Sequence, residues 1–212
     1  MLTTENILFL IFAYLIGAFP SAVWLGRTFY NTDVREYGSG NAGATNTFRT
    51  LGAKAGIPVL IMDVLKGWIA VNLVSFISDN QLFSEERIFE IKLAFGIAAV
   101  IGHLFPVYTG FRGGKGIATM LGLMLGIYWQ AALCSALVFV LSFLISKYVS
   151  LSSIVASIAF PIIVVFVLPL QNANLSLILF SVFVPILSLI THQKNIERLL
   201  RREENKARFE RN

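Results

Sequence analysis

Cysteine is nearly absent from this sequence. The single Cys134 lies inside an apolar run, so neither a disulfide framework nor a cysteine-rich metal site can form. Charge is scarce as well. Only 14% of the 212 residues are charged, against roughly 25% in soluble domains. Hydrophobic residues make up 56% and the mean hydropathy is +0.74. That balance excludes an ordinary soluble domain and points to an integral membrane protein. There is no Ser–His–Asp order, no nucleotide-binding motif and no His/Cys/carboxylate cluster spaced for a metal. No metal, cofactor or nucleic-acid partner is implied. Nor is a cleavable signal peptide indicated: Glu5 stands where a basic n-region belongs, and no small-residue cleavage site stands out.

What remains is long apolar runs. A spanning helix needs about 20 mostly apolar residues. Seven candidates fit: Asn6–Phe29, Ala55–Ile77, Ile88–Tyr108, Ile117–Tyr128, Gln130–Ser146, Ile154–Leu168 and Leu175–Ile190. The fourth is short, about 18 Å of helix. It either extends back to Gly113 or is a half-helix lining a polar cavity. An alternative division fuses Ile117–Ser146 into one tilted helix and gives six spans.

Charge decides between the two. With seven spans, one side collects Arg27, Arg35, Arg49, Lys54, Arg112, Lys115 and Lys147, together with every basic residue from Lys194 to Arg211. The other side holds Arg87 and Lys92, and Lys66 lies inside the second span. The positive-inside rule makes the basic side cytoplasmic. The expected fold is therefore all-α, with seven transmembrane helices, the N-terminus outside and the C-terminus in the cytoplasm. It is read as one polytopic domain over 1–212, with cytoplasmic loops at about 30–54, 109–116, 147–153 and 191–212. The outer connectors Asp79–Glu90 and Leu168–Asn174 carry little chemistry. The tail from Glu197 alternates charge and is read as a membrane-surface helix whose basic residues favour anionic lipid.

The second, fourth and sixth spans then start at the cytoplasmic face, where helix N-termini favour anions. Unusual segments precede them. The first, GSGNAGATN from Gly38 to Asn46, has no acid and is followed by Arg49. Its glycines permit close backbone approach, Ser39, Asn41, Thr45 and Asn46 supply neutral donors, and Arg49 supplies a charged fork. The second, GFRGGKG from Gly110 to Gly116, resembles a phosphate-binding P-loop but fails the pattern, having Thr109 and Gly116 where Gly and Ser or Thr are needed. A glycine turn with Lys115 before a helix start remains a phosphate cradle. The third, Ser150 to Ser153, offers N-caps before the sixth span. A fourth element leaves the last span, where His192 and Asn195 stand i, i+3 on one helix face. Asp63 and Lys66, also i, i+3, read as a compensating pair facing the bundle interior, and His103 as a hydrogen-bonded packing residue. Together these fit a small phosphorylated molecule at the cytoplasmic interface, held for catalysis by positioning and charge.

Five ordered blocks carry a resemblance: GSGNAGATNTFRTLG, DVLKG at Asp63–Gly67, GHLFPVYTGFRGGKG, YVSLSS at Tyr148–Ser153 and HQKNIERLL from His192. Over essentially its whole length the chain resembles the bacterial acyl-phosphate-dependent glycerol-3-phosphate acyltransferase (PlsY) family. In the last block the family tends to read HxxNIxRLxxGxE. Here Arg202 takes the glycine place while Glu204 keeps the acid, so an αL helix stop is expected to be lost.

The resemblance implies acyl transfer from acyl phosphate to the 1-hydroxyl of glycerol 3-phosphate, giving lysophosphatidic acid and phosphate. That is the first acylation of phospholipid synthesis, at the cytoplasmic face of a bacterial inner membrane. Ser39 and Thr45, with Gly40, Asn41 and Asn46, would hold the acyl-phosphate head, with Ser150 or Ser153 near it. Arg49, Lys115, His192 and Asn195, with Gly113 and Gly114, would hold glycerol 3-phosphate. Ser39, Arg49, Lys115, His192 and Asn195 are the catalytic candidates, with Glu204, Asp63 and Lys66 in support. Direct attack without an acyl-enzyme is expected, the proton passing to a substrate phosphate or to His192. A transporter of phosphorylated solutes is the alternative from another class.

Overall fold

The apolar runs fold as helices because a bilayer interior offers the backbone no partner but itself. The computed structural model describes residues 3–78, 82–167 and 175–207. Among them every regular element is helical and no strand occurs. The turn expected at Leu168–Asn174, the first residues of the loop from Asp79, and the tail from Arg208 lie outside the described residues. The helices gather into two compact units, one running as far as Ile127 and the other starting at Tyr128.

The first unit opens with α1 (Thr4–Ala18) and α2 (Ser21–Tyr30). The continuous span expected over Asn6–Phe29 is instead broken at Phe19-Pro20, and the two helices are bent by 43°. Proline has no N–H and its ring clashes with the preceding turn, so α1 stops there. Beyond α2 come a short 3-10 turn, Val34–Glu36, and a separate helix, α3 (Ala44–Leu51). The stretch from Thr45 to Leu51 is thus helical where a loop is expected. Gly52, at φ +81, divides α3 from α4 (Ala53–Asn72). The unit closes with α5 (Glu85–Leu104) and α6 (Ile117–Ile127).

Lipid removes most of the hydrophobic drive between helices, so close approach must hold them. α1 packs on α5, and α4 on α6. A Cβ on Gly67 would strike the Thr119 carbonyl, and one on Gly122 the Val64 carbonyl. Ala13, Leu73, Val74, Phe95 and Ala99 fill one core, and Ala22, Val23, Val34, Ala55 and Val59 another.

In the second unit, α8 (Val149–Ile162) packs against α7 (Trp129–Ser146) and α9 (Leu175–Thr191), and α10 (Gln193–Leu200) turns off α9 at 65°. α8 starts earlier than the expected Ile154 and continues as a π-helical stretch, Ile163–Val167. Phe160, Val164, Leu177 and Phe180 are buried. Along α7, Leu133, Leu137, Leu141 and Leu144 are exposed, as a lipid-facing helix requires.

Among the described residues four helical stretches are long and apolar enough to cross a membrane, or up to six if each bent pair is one span. α6 has 11 residues, about 17 Å of helix, and is too short to cross alone. Placing a branched side chain at the α4–α6 contact should separate those helices. Gly122→Val is expected to cost about 1–3 kcal/mol, read as a lower thermal midpoint of the purified protein in detergent.

Candidate active site

The connector before α3 is organised by one amide. Asn46 is buried, and its Oδ1 accepts from both the N–H (2.8 Å) and the hydroxyl (3.1 Å) of Ser39. Its Nδ2 donates to the carbonyls of Val34 (2.7 Å) and Tyr37 (3.1 Å). Gly38, at φ +61, lies against this amide, where a Cβ would strike Asn46 Oδ1. Ser39 and Gly40 are exposed and Asn41 is half-buried. Thr45 and Arg49 are both exposed and sit i, i+4 on α3, hence on one face.

Charges in this connector are sorted by Asp33. Its carboxylate receives Arg27 Nη2 and Arg35 Nη2, each at 2.8 Å, and the Arg35 N–H at 3.0 Å. The Arg35 hydrogen bond comes first among the causes that hold Asp33 well below the usual carboxylate range, with burial opposing. Arg35 Nη1 also donates to the Thr109 carbonyl (3.1 Å), tying this connector to the second glycine-rich segment. Two guanidinium groups are thus engaged, whereas Arg49 has no ion pair among the described residues.

The second segment lies on the end of α5. The Gly114 N–H donates to the His103 carbonyl (3.1 Å). A Cβ on Gly113 would strike that carbonyl, and one on Gly114 would strike His103 Nε2. Lys115 is half-buried and stands just before Gly116, at φ +81, where α6 begins. Beneath is a buried polar cluster. Asp63 Oδ1 receives Lys66 Nζ (2.9 Å) and the Ser21 hydroxyl (2.9 Å), and His103 Nδ1 lies 3.7 Å away. Lys66 Nζ also donates to the Phe19 carbonyl at the α1–α2 break (3.1 Å). The compensating pair expected at Asp63 and Lys66 is present. His103 and Ser21 join it, which spacing along the chain does not reveal.

The second unit carries the other candidates. The four serine-segment residues do not precede α8 as expected; they are its second to fifth residues, and the N-cap is Tyr148 without a side-chain cap. Ser152 donates to the Tyr148 carbonyl (2.8 Å) and Ser153 to that of Val149 (2.9 Å). Ser150 donates to Glu204 Oε1 (3.1 Å), which also receives Asn195 Nδ2 (2.8 Å), while Glu204 Oε2 receives Arg198 Nε (2.7 Å). Burial pushes the Glu204 carboxyl up, but the hydrogen bonds from Arg198, Asn195 and Ser150 and the Arg198 charge outweigh it, so the net shift is downward. His192 is buried at the α9–α10 turn, its Nδ1 2.8 Å from the Ser188 carbonyl. A carbonyl only accepts, so Nδ1 carries the hydrogen and Nε2 is the acceptor of the neutral ring.

Arg202 overturns one expectation. It adopts αL at φ +61 although it is not glycine, and the Glu203 N–H reaches the Arg198 carbonyl (2.8 Å). The helix stop persists, and the tail folds back so that the Ala207 N–H bonds the Lys147 carbonyl (2.9 Å).

A helical membrane scaffold whose connectors gather glycine turns, neutral donors and cations at helix starts defines the class: a polytopic helical membrane protein with polar and cationic connectors. A family model described as glycerol-3-phosphate acyltransferase matches residues 7–202. Curated relatives bearing that description include proteins of Fusobacterium nucleatum, 40% identical over 95% of this chain and 97% of the relative, and Listeria welshimeri, 40% identical over 98% and 100%. The crystal structure of PlsY, an integral membrane glycerol 3-phosphate acyltransferase, in its glycerol 3-phosphate form superposes with a TM-score of 0.80 at 35% identity, covering 96% of each chain. Its lysophosphatidic acid form gives 0.79 at 34%, covering 95% of this chain and 94% of that one. The chain belongs to the glycerol-3-phosphate acyltransferase family.

Glu204 makes stability in the second unit pH-dependent. A carboxylate with a lowered folded pKa adds stability above its unfolded value, and that stability is lost as pH falls through the folded one. The advantage of the wild type over Glu204→Gln in thermal midpoint should be full at pH 7 and shrink as pH drops below 4.5, the ordinary value. At Arg202, glycine relieves αL strain of about 1–2 kcal/mol against about 0.4–1 kcal/mol of added unfolded-chain freedom. Arg202→Gly should hold or slightly raise the midpoint, whereas β-branched Arg202→Val should lower it.

Proposed function

We propose that this protein transfers a fatty acyl group from acyl phosphate to the 1-hydroxyl of glycerol 3-phosphate, releasing lysophosphatidic acid and phosphate. The observation that carries the reading is the exposed face of α3: Thr45 and Arg49 lie together, with Ser39 held by Asn46 ahead of the helix. It offers hydroxyls and one charge, suited to a phosphate. The solved relative in a glycerol 3-phosphate form supports the acceptor.

In the first unit, Ser39, Gly40, Asn41, Thr45 and Asn46 are assigned to the acyl-phosphate head, and Arg49, Gly113, Gly114 and Lys115 to glycerol 3-phosphate. In the second unit, Ser150 and Ser153 are assigned to the donor, and His192 and Asn195 to the acceptor. A groove of about 470 Å3 in the first unit, lined by Phe12, Leu15, Met62, Leu65 and Ile69 among others, supports an apolar chain there. The acceptor hydroxyl attacks the acyl carbonyl carbon, a C–O bond forms, and the bond to the phosphate oxygen breaks. The leaving group is already good, so positioning and charge stabilisation carry most of the rate. The proton passes to a substrate phosphate, with His192 Nε2 as the competing base. We assign seven spans in one polytopic domain of a bacterial inner membrane, the short α6 completing its crossing together with the glycine-rich segment before it, with the N-terminus outside and these connectors in the cytoplasm. The one-sided distribution of Lys and Arg supports that topology.

The two bent helix pairs are the observation that favours anion transport as a second reading; membership of an acyltransferase family weighs against it. Purified protein given acyl phosphate and glycerol 3-phosphate should release phosphate and lysophosphatidic acid in equal amounts. Ser39→Ala and His192→Ala should each lower turnover by about 100-fold. Absence of product together with uptake of a phosphorylated solute into vesicles would sink the enzyme reading, and a trapped acyl-protein would sink direct attack.

A further inference from the structure

The buried cluster of Ser21, Asp63, Lys66 and His103 takes no part in the chemistry proposed above, yet it touches the segment that carries Lys115. Asp63 and Lys66 are almost wholly enclosed. Their charges cancel, so the pair supplies little net field to a distant ligand. A desolvated ion pair is also weak support for stability. What such a pair does well is fix geometry, because each partner is left costly to expose if it moves.

The geometry runs outward from this pair. Lys66 Nζ holds both Asp63 Oδ1 and the Phe19 carbonyl, so Asp63 is fixed on α4 and against the helix break. His103 Nδ1 faces that carboxylate at 3.7 Å, which turns Nε2 to the opposite side of the ring. There Nε2 lies so close to Gly114 that a Cβ would collide with it. The His103 carbonyl meanwhile accepts the Gly114 N–H at 3.1 Å and abuts Gly113. Both faces of His103, ring and backbone, therefore form the floor on which Gly113-Gly114 rests. A cavity of about 10 Å3 beside it is bordered by Phe19, Ala42, Lys66, His103 and Gly113, room for at most about one water. That cavity borders Ala42 of the first glycine-rich segment as well as Gly113 of the second.

We infer that His103, oriented by the buried Asp63–Lys66 pair, is a positioning residue that sets the Gly113–Lys115 backbone for the acceptor's phosphate. It acts through the loop and touches no substrate. The glycines at 113 and 114 are then needed because the floor lies directly beneath them. This inference rests on the proposed assignment of Lys115 to glycerol 3-phosphate.

The test uses the full-length protein in detergent with two readouts. One is the rate of trypsin cleavage after Arg112 and Lys115, which reports loop docking without any substrate. The other is KM for glycerol 3-phosphate against kcat. His103→Ala and Gly114→Ala should each speed cleavage at those bonds and raise KM by about tenfold or more while kcat changes far less, since a displaced loop weakens charge-assisted hydrogen bonds to a bound phosphate that is remote from the reacting hydroxyl. In the double variant the new methyl enters the space the ring vacates, so it should cleave more slowly and bind more tightly than Gly114→Ala alone. Folded variants with wild-type cleavage and KM, or a double variant no better than Gly114→Ala, would overturn the inference. A general loss of kcat with unchanged cleavage and KM would overturn it too. If His103→Ala does not fold, Gly114→Ala and His103→Gln decide the same two readouts. A wild type inert towards glycerol 3-phosphate would defeat the proposed function, and the cleavage rates would still decide the docking.

Discussion

Lys66 bridges the Phe19 carbonyl and the Asp63 carboxylate, and much of the first unit depends on that bridge. Pro20 ends α1, so the Phe19 carbonyl leaves the helical pattern and needs donors of its own, because an unsatisfied carbonyl in a bilayer costs several kcal/mol. The Ser21 N–H supplies one donor (3.0 Å), and Lys66 Nζ adds a second from α4 (3.1 Å). A lysine buried alone would be costlier still, and Asp63 beside it offsets the charge. The break, the cation and the acid are one device. It bends the chain by 43° into α2 and so sets where the connector to Ser39 begins.

The same logic separates the charged residues that hold the scaffold from those left without an acidic partner. Asp33 engages Arg27 and Arg35, and Glu204 engages Arg198. Both acids lie in connectors, and each gathers several donors at once, which keeps it ionised. Arg49 is left without such a partner on an exposed helix face. Basic connectors near a membrane are often read as topology signals alone. Here paired acids remove part of that charge locally, and Arg49 is among the arginines they leave, set on the same helix face as Thr45.

Most of this was legible in the sequence where apolar length or residue chemistry decides. Composition shows the membrane class, and Gly, Ser, Asn, Thr and Arg density marks the connectors that prove structured. The break at Phe19-Pro20 was missed because the flanking run stays apolar on both sides, and hydropathy does not register a lost hydrogen bond. α3 was missed because Gly43 and Gly52 mask a helix of eight residues between them. The αL turn at Arg202 was misjudged because glycine preference is a matter of about 1–2 kcal/mol. Three hydrogen bonds on Glu204 and the tail's bond from Ala207 to Lys147 outweigh that. His103 could be placed only by the fold, since its partners lie 40 residues away on α4 and ten residues ahead on a different segment.

The hydrogen bonds of the serines bear on the order of chemical steps. A serine nucleophile needs a base that accepts its proton as it attacks. The Ser39 hydroxyl is directed at Asn46 Oδ1, an amide oxygen too weakly basic to take it. Ser152 and Ser153 donate to backbone carbonyls, which are no better. Ser150 does face a carboxylate, but Glu204 is held below its ordinary pKa by Arg198 and Asn195, and each proton donor it gains makes it a poorer base. Each of these serines is therefore arranged as a donor or a structural link. That weighs against a covalent acyl-enzyme and toward an acceptor hydroxyl that attacks the acyl carbonyl itself, its proton leaving by a group other than serine.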